Sequence, residues 1–347
     1  MTRLHLNPRR ISCAFPTALI LCAAALAVAT AAQAAPSAPP AAGPHADQRV
    51  IQHYKVPPEN PNYDAQENEG ASSGDTSSTD YLLYRGGPVQ TDPRVYIVYW
   101  GDWTRGTADP YNVQGRLYWF LAGIGGSAWD NIQTGYAKGC YSGTFSCPST
   151  ASFIRNNPNQ LKGIWFDNSV IPSTPTGTDL AAEALRAAAH FADYSINTQY
   201  VVALSRGHGD SRFIAKGGTT CAWHNWTKFN AQTTVMFTSL PYMPDAGSNT
   251  CGNNSVTGNV LDGVTIVESH EYAETITDPW VGAGDGYEGW DDSTRGSGEN
   301  GDKCNGGAGY NSTVTLTTGT YTDKFPVQSM WSNYSRYFSG SGCEFWS

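Results

Sequence analysis

Arg94-Val95-Tyr96-Ile97-Val98-Tyr99-Trp100-Gly101 decides the fold class. An unbroken run of β-branched and aromatic residues closed by glycine reads as a buried strand. Downstream, Asn112 to Ala122 carries Val113, Leu117, Phe120 and Leu121 at helical spacing and stops near Gly123. Thr178 to Phe191, rich in Ala and Leu, predicts a second helix capped by Thr178 or Asp179. Gln199 to Ser205 then repeats the buried-strand pattern, and strand, helix, helix, strand predicts an α/β layer with a partly parallel sheet. Further on, Thr233 to Thr238 reads as a strand, Leu261 to Ile276 as a helix broken by Thr277-Asp278-Pro279, and Thr313 to Phe338 as hairpin material. The expected fold is a single α/β domain with a mixed, partly parallel sheet flanked by helices.

Upstream of this unit, Arg3, Arg9 and Arg10 precede an apolar stretch from Phe15 to Ala29 and the small residues Ala32-Gln33-Ala34, the pattern of a secretory signal peptide over residues 1–34. Its apolar part is shorter than the roughly 18–20 residues of a spanning helix, so the expectation is a secreted chain with no membrane association after cleavage. Residues 35–80 are Pro/Ala-rich and then Asn/Glu/Ser/Gly-rich, which predicts a disordered linker or pro-region. The globular domain is expected over residues 81–347.

Cysteine usage suits that address. Cys13 and Cys22 leave with the signal, and Cys140, Cys147, Cys221, Cys251, Cys304 and Cys343 remain, an even set that in an exported chain reads as disulfides. Pairing of sequence neighbours is expected: Cys140 with Cys147, Cys221 with Cys251, Cys304 with Cys343. The formal charge of −9, with no Lys/Arg cluster beyond the signal, argues against nucleic acid as a partner.

The chemistry concentrates between His270 and Cys304. In Val267-Glu268-Ser269-His270-Glu271-Tyr272-Ala273-Glu274, His270 and Glu274 stand four residues apart and project from one helix face, a spacing suited to two metal ligands. Glu271 occupies the place where the metallopeptidase helix H-E-x-x-H carries its general base. Glu274 in place of a second His is compatible with zinc, yet it strengthens calcium and manganese as alternatives. Downstream, Glu299 and Asp302 lie three residues apart, and either could complete the ligand set. A disulfide at Cys304 would pin that loop. The acidic, aromatic stretch between them could shape a substrate cleft or bind calcium through Asp285, Asp291 and Asp292.

Two further histidines qualify as extra ligands or polarising groups, or as ordinary hydrogen-bonded loop residues: His208, after the second buried strand, and His224, in Cys221-Ala222-Trp223-His224. A serine nucleophile fails, because no G-x-S-x-G elbow is present. A glycosidase pair drawn from Glu271, Glu274 and Glu299 is a weaker reading, since spacing along the chain does not give their separation.

Taken in order, several pieces resemble the exordium (phosphate-induced protein 1) family of secreted, wall-associated proteins. They are Val98-Tyr99-Trp100-Gly101, the Tyr200-Val201-Val202 strand, Cys221-Ala222-Trp223-His224, Leu240-Pro241-Tyr242 leading to Cys251, Asp262-Gly263-Val264 with the His270 to Glu274 helix, Glu299-x-x-Asp302-x-Cys304, and Phe325 to Trp331. The resemblance implies an extracellular address and marks His224, His270, Glu271, Glu274, Glu299 and Asp302 as family-like positions; it implies no settled reaction. The chain departs from the plant pattern at Asp278, and its Ala-rich signal has a bacterial character, so a plant growth role is not carried over.

The reading these residues favour is a secreted metal-dependent hydrolase of peptidase type. His270, Glu274 and one of Glu299 or Asp302 hold a divalent ion, zinc before calcium; Glu271 activates water, and His224 assists. The alternative is a non-catalytic extracellular module with a structural calcium, binding wall polysaccharide through Trp280, Tyr287 and Trp290. Partners would be extracellular protein or peptide in the first case and glycan in the second.

Overall fold

Alternation of side chains along five strands organises the molecule. In the computed structural model, which describes residues 81–284, 286–292, 298–305 and 308–345, these are β1 (Arg94–Trp100), β2 (Leu161–Asp167), β3 (Thr198–Leu204), β4 (Trp223–Lys228) and β5 (Thr234–Leu240). The expected signal peptide and linker lie outside the described residues. The sheet order is β2-β1-β3-β5-β4, parallel except for β4, which runs antiparallel to β5. The fold is therefore α/β with a mixed sheet.

Period-two alternation divides the strands between two cores. Val95, Ile97 and Tyr99 pack with α1 (Val113–Ile124) and α3 (Asp262–Thr277), while Tyr96, Val98 and Trp100 pack with α2 (Gly177–Phe191). Both faces of β1 are thus covered by helices, which is why its sequence is apolar without a break. Truncating a fully buried residue such as Ile97 to Ala would cost about 2–5 kcal/mol.

The structure corrects three local expectations and adds one strand. First, α2 is capped by Thr176, not by Thr178 or Asp179: Asp179 N donates to Thr176 Oγ1 at 3.2 Å and Thr176 N donates to Asp179 Oδ2 at 2.8 Å, a reciprocal capping box. Second, Leu161–Asp167 is a sheet strand although it lacks a continuous apolar run, because it lies at the sheet edge with Ile164 and Phe166 partly exposed. Third, His224 sits in β4, not in a loop. Fourth, the hairpin ends early, β6 (Asn311–Thr318) pairing with β7 (Tyr321–Gln328), and the tail returns as the short helix α4 (Asn333–Ser339), capped by Ser332 Oγ.

Disulfides join Cys140–Cys147, Cys221–Cys251 and Cys304–Cys343, the neighbour pairing expected above. No helix among the described residues is long and apolar enough to cross a membrane.

Every residue of α3 is buried, since the helix lies between the sheet and the β6–β7 hairpin. Its polar side chains therefore need internal partners. Thr265 Oγ1 donates to Pro326 O at 2.6 Å, and Ser269 Oγ accepts from Gln328 N at 3.1 Å, fixing the helix against β7. At its start only glycine fits at position 263, where a Cβ would fall 2.3 Å from Asn253 Oδ1 and 2.3 Å from Cys251 O.

Candidate metal centre

Helical geometry puts Glu274 between His270 and Glu271. With 3.6 residues per turn, Glu274 lies about 40° round the axis from His270 and about 60° from Glu271. One carboxylate therefore borders both neighbours. His270, Glu271 and Glu274 are fully buried.

The loop after the helix reaches this point through a set of latches. Asp302 N donates to Glu274 Oε1 at 3.0 Å, Gln328 Nε2 donates to Gly301 O at 2.7 Å, and Trp331 N donates to Asn300 O at 2.7 Å. The Cys304–Cys343 disulfide holds the far end. Gly301 permits the approach, since a Cβ there would lie 2.8 Å from His270 Nδ1 and 2.9 Å from Glu274 Oε1.

Gln328 also orients His270. Its amide nitrogen is committed to Gly301 O, so its Oε1, 3.2 Å from His270 Nδ1, acts as the acceptor. The imidazole then donates from Nδ1 and turns Nε2 towards Glu274 Oε1 at 3.2 Å and Asp302 Oδ1 at 3.5 Å. An outer-shell acceptor on one ring nitrogen is the usual device for presenting the other to a metal. Burial on its own lowers the His270 pKa, but the carboxylate of Glu274, with Glu271 and Asp302 beyond it, carries it up to about 9.

His224 arrives from the opposite wall. Trp223 packs into the α2 core, so alternation along β4 turns His224 towards α3. Its Nδ1 lies 3.3 Å from Glu271 Oε2 and 3.6 Å from Glu274 Oε2, and its Nε2 lies 3.4 Å from Glu299 Oε1. His224 and Glu299 are fully buried; Asp302 keeps 9 % exposure.

Two sets of three residues thus bring ligand atoms within 4.8 Å of one another, His270–Glu274–Asp302 and His224–Glu271–Glu274. Such groups can hold a metal ion. In a tetrahedral site with bonds of about 2.0–2.1 Å, donors stand about 3.3–3.4 Å apart, and the separations around His270 bracket that value.

Of the sequence candidates, His270, Glu274 and Asp302 converge, Glu271 and His224 converge beside them, and Glu299 backs His224 without joining either set. His208 stands apart, its Nδ1 2.8 Å from Pro172 O. Of the three carboxylates offered for calcium, Asp285 lies outside the described residues, and Asp292 Oδ2 accepts from Lys303 Nζ at 2.8 Å. The expected row of sugar-stacking aromatics is also corrected. Trp290 is a core residue donating from Nε1 to Ala137 O at 2.9 Å, and Trp280 is partly buried and bonded to Thr234 Oγ1; only Tyr287 is exposed.

Gln328 is the functional residue that the sequence reading passed over. The signal available was a lone amide closing the apolar run Phe325-Pro326-Val327. One helical turn before Glu271, the fully buried Glu268 carboxyl is pushed well above the usual carboxylate range by burial and then by Glu271.

No protein-family model, curated protein or solved structure matches the chain.

Proposed function

We propose that this chain is an exported, metal-dependent hydrolase in which His270, Glu274 and Asp302 hold a divalent ion. The observation that carries the reading is the orientation of His270 by Gln328, which aims Nε2 at two carboxylates at coordination-edge distances. Imidazole among the donors favours zinc over calcium, which takes oxygen ligands. Bound there, the ion would supply Lewis acidity to polarise a carbonyl. Glu271 and His224 lie across Glu274 from that site and form the couple that receives a proton from the attacking water. The H-E-x-x-E arrangement on a helix supports a peptide bond as the substrate. Export is supported by the N-terminal charge and hydropathy pattern and by three disulfides.

Complete burial of His224, His270, Glu271 and Glu274 favours a second reading, a structural ion that locks the 298–305 loop to α3 in a non-catalytic extracellular protein. Glu271→Gln separates the two. Under the hydrolase reading the variant retains the ion at His270, Glu274 and Asp302 and loses about 10²–10⁴-fold in turnover of casein or gelatin. A metal-loaded wild type that cleaves neither, and whose melting temperature alone responds to chelator, establishes the structural reading instead.

A further inference from the structure

Glu274 presents its two oxygens to two different imidazoles. Oε1 lies 3.2 Å from His270 Nε2, and Oε2 lies 3.6 Å from His224 Nδ1. We propose that the centre takes two divalent ions bridged by Glu274, the second held by His224 Nδ1, Glu271 Oε2 and Glu274 Oε2. The inference rests on the reading of His270, Glu274 and Asp302 as the first site, adds a second, and reassigns Glu271 from proton acceptor to ligand.

Three independent features converge on it. The second histidine is flanked as the first is: Glu299 Oε1 lies 3.4 Å from His224 Nε2 on one side of the ring, and Glu271 Oε2 lies 3.3 Å from Nδ1 on the other. In each case an oxygen lies behind the ring and the opposite nitrogen faces Glu274. The donor spacing repeats too, with 3.3 and 3.6 Å around His224 against 3.2 and 3.5 Å around His270. A carboxylate bridge between two such sites suits ions about 3.5–4 Å apart, the separation used by two-metal hydrolytic centres.

Charge supplies the third feature. Glu271, Glu274, Glu299 and Asp302 contribute four negative charges when ionised, and two neutral imidazoles contribute none. Two divalent ions bring these six groups to zero; a single ion leaves two negative charges in a volume almost sealed from water. Two divalent ions therefore match this donor set in charge as they do in the number of three-residue sites. Glu271 then acts as a ligand in place of a free base, and Glu299 becomes the positioning residue of His224. Mixed imidazole and carboxylate donors suit zinc, manganese or ferrous iron.

The test is a titration of the full-length, oxidised, metal-stripped protein with Mn(II), followed by electron paramagnetic resonance, beside elemental analysis after loading with Zn(II). Two equivalents of either metal are expected, and at the second equivalent of Mn(II) the six-line signal of an isolated ion should give way to an exchange-coupled spectrum. His224→Asn should bind one equivalent with an uncoupled signal. One equivalent in the wild type, abolished by His270→Ala, overturns the second ion and leaves the single-metal hydrolase standing. Two equivalents without coupling overturn the Glu274 bridge. Absence of both metals overturns this inference and the function on which it rests. The wild-type titration decides among these outcomes even if a variant fails to fold.

Discussion

Helix α3 buries two polar clusters, and they solve the same electrostatic problem in different ways. One is the Glu274 centre, with four carboxylates and two imidazoles drawn from α3, β4 and the 298–305 loop. The other surrounds Tyr272, whose hydroxyl bonds the Gln160 side-chain oxygen and lies 3.3 Å from Asp130 Oδ1, while Gln160 Nε2 donates to Asp130 Oδ2 at 2.7 Å. The second cluster holds a single acid among neutral donors, and burial raises the Asp130 pKa to about 7, so uptake of one proton makes it neutral. One proton cannot neutralise the first cluster. Equal burial with unequal charge separates a cluster that is self-sufficient packing from one that could hold a cation.

Metal removal should break this comparison most forcefully. A ligand bound only to the native state, at about 1,000 times its Kd, stabilises by about 4 kcal/mol. For a domain of this size that is a fall in melting temperature of about 10 °C on chelation, taking roughly 2–4 °C per kcal/mol. Calorimetry of metal-loaded protein with and without EDTA measures it. An unchanged melt would place both clusters in the self-sufficient class.

The Asp130 cluster predicts a pH dependence of its own. The native pKa of about 7 lies above the unfolded value of about 3.9, so between these limits the native state holds a proton that the unfolded chain has released. Stability from this group is full below about pH 4, falls by about 1.4 kcal/mol per pH unit through the window, and levels off above about pH 7. Asp130→Asn should remove that slope. The difference between wild-type and variant urea midpoints, measured on metal-free protein from pH 4 to 8, isolates it; parallel curves would show that Asp130 does not titrate in this range.

These two clusters were unequally legible in the sequence. The pair His270 and Glu274 could be read because helical periodicity is a local rule, and the α/β class because β1 and β3 are unbroken apolar runs. Helical spacing says nothing about where a later loop returns, so Asp302 could not be separated from Glu299 as the carboxylate beside His270. The strand Trp223–Lys228 starts just after Cys221 and carries His224 and Asn225, too polar for a buried-strand pattern, which is why its sequence suggests a loop. Asp130 and Gln160 meet Tyr272 only through tertiary packing, and nothing in their local sequence marks them. The same holds for Gln328, which reaches His270 because the hairpin runs back along α3.

Gln328 sharpens the comparison on the side of the metal. Gln328→Leu preserves bulk, removes the acceptor for His270 Nδ1 and frees the Gly301 carbonyl from its latch. Loss of such an outer-shell partner weakens metal binding by about 10–100-fold. Competition against a chromophoric chelator measures the shift, and unchanged affinity would mean that His270 is oriented by other contacts.

Tyr272→Phe is the smallest and most discriminating change. Tyr272 is the immediate neighbour of Glu271 in sequence, yet its ring turns away from Glu274 to meet Trp129, Asp130 and Gln160. Removing only the hydroxyl deletes its bonds to Gln160 and Asp130 and should cost about 1 kcal/mol, the net worth of a buried hydrogen bond. Metal stoichiometry and affinity should not move, because the change falls on the self-sufficient cluster. If Tyr272→Phe instead loosened the metal, the two clusters would be one coupled network through α3, and the division drawn from their charges would fail. Equal metal content beside a lowered urea midpoint would establish that position around the helix, not proximity along it, decides what each residue does.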